Sequence, residues 1–302
     1  MTTVVFPGQG SQYTGMSKDF YDNFNIARVT FQEIEEFTEM NLRKIIFDNK
    51  DKELDITKYT QISIFASSVI IFKTIQKELD LNSSSIDVMM GHSLGEYSAL
   101  ACSDKLSLKD ACLVLKKRGQ LMNDAVPQNK SGMAALIGKD SNYVQKIIKD
   151  NNINLEVAND NSPKQVVISG DISEIKNNRE LFLKNNITKY VILNVSAAFH
   201  SKLMLKAQEE LSEIINQVSF NSNKINIISN YNAEVSNDSL SIKKSLQQQM
   251  ANKVNWTNSV KKLSEIGQKN IIEIGPGKVL SGLIKRISNN FDIKSINKIS
   301  DI

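Results

Sequence analysis

The run VMMGHSLGEYSAL, residues 88–100, sets Ser93 between Gly91 and Gly95. A serine hydroxyl becomes a nucleophile near neutral pH when a base within hydrogen-bond reach takes its proton, most often a histidine. The chain has two histidines, His92 and His200. SIDVMM ahead of Gly91 has the look of a buried strand and SLGEYSALAC that of a helix, so Ser93 falls on a tight strand-to-helix turn whose neighbours must be small. That position also places the hydroxyl at a helix N-terminus, where free N–H groups favour a developing oxyanion. The bland reading of the same serine is a helix cap after a buried strand. Glu96 reads as a favourable charge in the first helical turn, leaning back along its own helix, rather than as a base. His92 adjoins Ser93 at a sharp turn, where neighbouring side chains diverge. His200, in VSAAFHSKL after the strand YVILNV, is therefore the candidate base.

A second reactive feature lies on the helix SLKDACLVLKKRGQLMNDAV, which opens on Ser107 and Asp110 in a capping-box-like arrangement. At ~100° per residue, Ala111, Val114, Leu115, Leu121, Met122 and Ala125 share a face, with Arg118 near its middle. A guanidinium on an apolar stripe keeps its charge and must meet an anion or several carbonyls. Either it pairs with an internal Asp or Glu, or it grips a carboxylate on a substrate. If Ser93 is acylated, Arg118 implies that the acyl group is anionic. Two glycine loops follow apparent strands: FPGQGSQ, residues 6–12, and GPGKVL, residues 275–280. The first fails the dinucleotide fingerprint, with Tyr13 where a third glycine is needed, and the second fails the phosphate-loop spacing. A loop like the first could complete an oxyanion hole, whereas GPGKVL reads as a strand-to-helix turn.

The elements needed to position these groups follow from the rest of the pattern. Short apolar runs (TTVVF, IDVMM, INIIS, NIIEIG) alternate with longer helical stretches, which predicts an α/β core with a mostly parallel sheet. Residues 132–195 read strand, helix, strand, strand, helix, strand, the ferredoxin-like order, with one helix over 171–186. The expected division is therefore a core of residues 1–126 and 198–302 with a small subdomain, 127–197, inserted into it. With 37 basic and 33 acidic residues in 302, the charge balance is too mild for nucleic-acid binding but tolerates an acidic partner surface. The start lacks a secretory pattern, and the most apolar stretch, residues 62–72, is too short to span a bilayer, so no membrane association is expected. Cys102 and Cys112 suggest neither a disulfide framework nor a metal site, and reduced cytoplasm is the expected compartment.

Taken together, FPGQGSQ, GHSLGEYSAL, RGQLM, AAFHS and EIGPGKVLSGLIKRI resemble the malonyl-CoA:acyl carrier protein transacylases, the acyltransferases of fatty acid synthesis and polyketide assembly, over nearly the whole chain. The resemblance implies an α/β-hydrolase-like core with a ferredoxin-like insertion. It implies Ser93 as nucleophile, His200 as base and Arg118 on the malonyl carboxylate, with His92 also in the substrate site. Gln9 and Leu94 would supply the oxyanion-hole N–H groups, and the backbone carbonyl of Gln249, in QQQMANKVNW, would orient His200. Lys253 stands in that stretch where the family usually has proline. Ala198 and Phe199 match the malonyl-selective members, and a bulky Phe199 should crowd an α-methyl group.

The expected reaction is ping-pong: Ser93 takes the malonyl group from malonyl-CoA, and the phosphopantetheine thiol of an acidic acyl carrier protein collects it. No cofactor is expected, and the family implies a monomer. Lys202, Lys206, Lys278, Lys285 and Arg286 are candidates for docking the carrier. The rivals are a serine thioesterase or other hydrolase using water, a freestanding acyltransferase for polyketide carrier domains, and a docking module without chemistry. Arg118 argues against a hydrolase of neutral esters, and the joint presence of Ser93, His200, Arg118 and Gln9 against the docking module.

Overall fold

The computed structural model describes residues 1–78, 85–127 and 129–302. The chain opens with β1 (Thr2–Phe6), α1 (Lys18–Asn23), α2 (Asn25–Thr38), α3 (Thr57–Glu78), β2 (Ile86–Gly91), α4 (Gly95–Cys102) and α5 (Leu108–Asp124). It continues through β3 (Ser131–Ile137), α6 (Ser141–Asp150), β4 (Leu155–Ser162), β5 (Gln165–Asp171), α7 (Ile172–Asn177), α8 (Arg179–Lys184) and β6 (Lys189–Ile192). It closes with α9 (Leu205–Gln217), β7 (Asn226–Ile228), β8 (Val235–Ser236), α10 (Ser239–Gln247), α11 (Trp256–Glu265), β9 (Asn270–Ile274), α12 (Val279–Ile287) and β10 (Asp292–Ile296).

The larger sheet has the order β10–β9–β1–β2–β7–β8 and is parallel except at the β7–β8 edge. Its strands are short apolar runs because both faces are covered. Val4, Phe6 and Met89 pack with α2, α3 and α5 on one side, while Val5, Val88 and Met90 pack with Trp256, Leu280 and Ile284 on the other. The smaller sheet, β4–β5–β3–β6, is antiparallel throughout and closes its own core with Val144, Ile148, Ile175 and Phe182. The architecture is thus α/β, a hydrolase-like core carrying a mostly parallel sheet, with a ferredoxin-like βαββαβ unit between β3 and β6. Among the described residues no helix is long and apolar enough to cross a membrane.

Three local features depart from the sequence expectation. The helix expected over 171–186 is broken into α7 and α8 at Asn178, whose side-chain amide donates to the Glu174 carbonyl and competes with the helical backbone. At Ser107 the cap forms, with Oγ accepting from Asp110 N at 3.0 Å, but the return bond runs from Ser107 Oγ to the Asp110 carboxylate rather than from the backbone. The second strand of the expected order, β4, runs on to Ser162 through bulges and bonds Val254 of the core: Asp160 N donates to Val254 O, and Val254 N to Ala158 O. That extension ties the small sheet to the loop behind the site.

Candidate active site

Ser93 stands at the carboxyl end of β2 with φ 53°, a left-handed conformation that a non-glycine residue adopts only when its surroundings hold it. A side chain at Gly91 would overlap the backbone of Gly95, and one at Gly95 would overlap the Phe6 carbonyl. The flanking glycines therefore let the elbow close on itself and on β1. The N–H of Ser93 is held by Asn230 Oδ1 at 2.6 Å, and Asn230 Nδ2 donates in turn to the Gly91 carbonyl. The N–H groups of Leu94 and Gln9, by contrast, have no protein acceptor among the described residues. Gly8 brings the Gln9 loop against the elbow, since a Cβ there would press on the His92 carbonyl.

Ser93 Oγ lies 2.8 Å from His200 Nε2. On the far side of the ring, Nδ1 faces two carbonyls, Gln249 O and Asn252 O, each at 3.1 Å. A carbonyl only accepts, so Nδ1 carries the proton and Nε2 presents its lone pair to the serine. His200 is itself left-handed, with φ 54°. Burial, then the Arg118 and His92 charges, push its pKa down to about 3, so the ring is neutral across the ordinary range. His92 points away from the Ser93 hydroxyl: its Nε2 meets Asn161 Oδ1 at 2.8 Å, its ring packs on Trp256, and burial lowers its pKa.

Arg118 is fully buried on α5, and its stripe includes Cys112 and Gly119 as well as the apolar residues expected there. Its hydrogen-bond partners are neutral. Nη1 donates to Gln61 Oε1 at 2.6 Å, and Nη2 donates to Gln249 Oε1 at 2.9 Å and to Ser93 Oγ at 3.0 Å. Its guanidinium also lies 5.3 Å from the centre of the Tyr97 ring. No carboxylate is within ion-pair distance, so the internal salt bridge that the sequence left open does not form among the described residues. A buried guanidinium beside a serine–histidine pair is an anion site waiting for an anion.

A cavity of about 320 Å³ opens onto this group. Gln9, His92, Ser93, Leu94, Arg118, Phe199 and His200 line it, with Met122 and Met133 adding apolar wall. Gln249 is not on the wall but behind it, touching Arg118, the Ser93 carbonyl and His200 at once. Of the candidate docking cations, Arg286 donates to Gln165, a wall residue of the cavity. Lys202 is bonded to Asn154 and Lys278 lies 3.5 Å from Asp301, and Lys206 and Lys285 are exposed.

Glu96 lies in the first turn of α4, as expected, but it is fully buried, with Oε2 accepting from Gln249 Nε2 at 2.7 Å and Asn230 N at 3.0 Å. The neighbouring chain segments at 230 and 249 cover it, and sequence spacing carries no sign of them. Gln61, Asn230 and Asn252 were missed for the same reason. Only Gln61 left a trace, as a polar residue at the edge of the most apolar stretch.

With this geometry in view, the comparisons with known proteins are consistent with one another. The acyl transferase domain model matches residues 3–299. A malonyl CoA-acyl carrier protein transacylase of Bacillus subtilis is 37% identical over 288 residues, covering 94% of this chain and 89% of that protein. Among solved structures, an acyl carrier protein S-malonyltransferase from Vibrio cholerae superposes with a TM-score of 0.93 at 35% identity, covering 99% of this chain and 98% of that one. A malonyl-transacylase solved in complex with a type II PKS acyl-carrier protein gives 0.94 at 31% identity, covering 99% and 97%.

Proposed function

The chain belongs to the acyl transferase family, and from that premise we propose that it moves the malonyl group of malonyl-CoA to the phosphopantetheine thiol of an acyl carrier protein through a malonyl-serine intermediate. One observation carries the residue assignments: a buried cation, Arg118, with neutral hydrogen-bond partners and its Nη2 3.0 Å from Ser93 Oγ. A three-carbon acyl group with a terminal carboxylate spans that separation, so its carbonyl meets the serine while its carboxylate meets the fork.

Ser93 Oγ attacks the thioester carbon as His200 Nε2 takes its proton. The free N–H groups of Leu94 and Gln9, the first at the start of α4, receive the oxyanion. The C–S bond then breaks, and His200 returns the proton to the departing CoA thiolate. In the second half His200 activates the incoming pantetheine thiol, which takes the malonyl group and restores Ser93. The resting pKa of about 3 keeps His200 unprotonated, and a malonyl carboxylate on Arg118 offsets one of the charges that depress it. Basicity therefore rises when the correct acyl group is bound. Phe199, on the wall beside His200, crowds an α-methyl substituent.

The thioester supplies the activated acyl group, so no cofactor enters this scheme. The carrier is taken to be acidic and to approach the Arg286 side of the cavity mouth. Residues 127–197 are taken as the inserted subdomain, 1–126 and 198–302 as the core, and the protein as a cytoplasmic monomer. Fatty acid synthesis is the process this supplies. The similarity to a transacylase solved with a type II PKS acyl-carrier protein favours a second acceptor, a polyketide carrier, served by the same chemistry.

Intact mass after brief mixing with malonyl-CoA tests the assignment. Wild type should gain one malonyl group and Ser93→Ala none, while Arg118→Ala should load malonyl about 10²-fold more slowly or worse. Rapid release of free malonate without an adduct would favour a hydrolase. Unchanged loading in Arg118→Ala would overturn the carboxylate role.

A further inference from the structure

Of the buried ionisable groups that the mechanism leaves unused, Glu96 stands nearest in the chain to the nucleophile. Glu96 lies on α4, directly behind the elbow, and never reaches the cavity wall. Oε2 accepts both hydrogen bonds that reach the carboxylate among the described residues, and Oε1 has no partner among them. The donors at Oε2 are the two residues that hold Ser93: Asn230, whose Oδ1 accepts from Ser93 N, and Gln249, whose Nε2 also donates to Ser93 O. Gln249 then accepts from Arg118 Nη2 through Oε1. The result is a continuous carboxylate–amide–guanidinium chain, Glu96–Gln249–Arg118. The charge facing Glu96 is Arg118 from α5, and Tyr97 on its own helix is the other titratable neighbour. No charged side chain of β1, β2 or α3, which also pack on α4, acts on it among the described residues.

Resting on the malonyl reading above, we propose that Glu96 is the resting counter-ion of Arg118, linked through Gln249, and that it takes up a proton from solvent when the malonyl carboxylate binds Arg118. The proton goes to Oε1, the free oxygen, so both bonds at Oε2 survive and the elbow does not move. Malonyl binding is thereby tied to the charge of a residue that never touches the substrate.

The electrostatics support the assignment. Burial raises the Glu96 pKa to about 7, against the pull of Gln249, Asn230 and Arg118. A malonyl carboxylate on Arg118 cancels part of that pull and adds a nearby anion, so the Glu96 pKa rises on binding. By reciprocity the protonated form binds malonyl more tightly. Affinity is therefore greatest below pH 7 and falls as pH rises through the ionisation. A one-unit rise corresponds to about a tenfold difference in affinity between the two forms.

Glu96→Gln separates charge from hydrogen bonding, because an amide oxygen in the place of Oε2 keeps both contacts. In stopped-flow loading of malonyl-CoA from pH 6 to 9, wild-type KM should rise several-fold to about tenfold, while Glu96→Gln should hold a low, flat KM with little change in kcat. Independently, an indicator dye at pH 7 should register uptake of up to about half a proton per malonyl-serine formed in wild type. A merely structural role for Glu96 predicts no uptake, and that result overturns the proposal even where Glu96→Gln fails to fold. The outcomes for the two readings differ. Loading that is absent or independent of Arg118 sinks the malonyl assignment, whereas Arg118-dependent loading without proton uptake sinks only the role of Glu96.

Discussion

Two strand-to-helix junctions of the large sheet, β2 to α4 and β9 to α12, lie on the two neighbours of β1. Val5 of β1 pairs with Met90 on one side and with Glu273 on the other, so these residues occupy the same level of the sheet. At the second junction the Glu273 carboxylate turns back into the helix and accepts from Leu280 N at 3.0 Å and Ser281 N at 2.7 Å. The start of α12 is thus occupied by an anion from its own strand. At the first junction Met90 offers no such group, Ser93 stands in a left-handed turn, and the Leu94 N–H is left without a protein acceptor among the described residues. One arrangement consumes the helix N-terminus for stability, and the other leaves it for a ligand. The fold is shared; a methionine against a glutamate at one register position separates the two uses.

The largest effect expected from this contrast is kinetic and belongs to the elbow. Ser93→Ala should lower transfer of malonyl to carrier protein by about 10³-fold or more, because the other groups of the site act through the serine. Steady-state transfer assays on protein with a wild-type melting curve measure it. Turnover within tenfold of wild type would mean that the open N-terminus of α4 is no more reactive than the closed one of α12.

The next effect is thermodynamic and belongs to the other junction. Glu273→Ala leaves the Leu280 and Ser281 N–H groups buried and unpaired, each costing about 1–3 kcal/mol, so a loss near 3 kcal/mol is expected in denaturant unfolding. Glu273→Gln, which keeps one acceptor, should lose less. In both variants the rate of Ser93 loading should stay within a few-fold of wild type. A large kinetic defect with intact stability would instead make GPGKVL part of the site.

The contrast also bears on what could be read in advance. Ser93, His200 and Arg118 each carry a local mark: flanking glycines, a position just after a returning strand, a charge amid an apolar helical face. Glu96, Asn230 and Asn252 carry none, because a buried acid or amide is indistinguishable in sequence from a solvated one until the segments covering it are known. Asn230 N reaches Glu96 across 134 residues, and Gln249 Nε2 across 153. Glu273 escaped notice for a related reason, since its two partners, seven and eight residues on, become reachable only once the glycine turn doubles the chain back. The mostly parallel sheet and the βαββαβ order were legible from alternating apolar runs. The strand β10 was not, because its outer position leaves it half polar, with Asp292 and Lys294 exposed.

The smallest effect isolates the backbone of the elbow from its chemistry. Ser93→Ala and Ser93→Gly both remove the hydroxyl, and with it the same contacts to His200 and Arg118. They differ in what φ 53° costs: alanine keeps the Cβ that the left-handed region disfavours, and glycine does not. The glycine variant should therefore be more stable than the alanine variant by about 1 kcal/mol, part of the gain being offset by the greater freedom of glycine in the unfolded chain. Paired denaturant unfolding of the two inactive proteins measures the difference. At the α12 junction the left-handed positions Gly275 and Gly277 are already glycine, so no comparable strain remains there to release. Equal stability of the two variants would mean that the elbow relaxes once the hydroxyl is gone. The left-handed turn would then be held in place by Arg118 and His200 rather than by the glycine-flanked backbone.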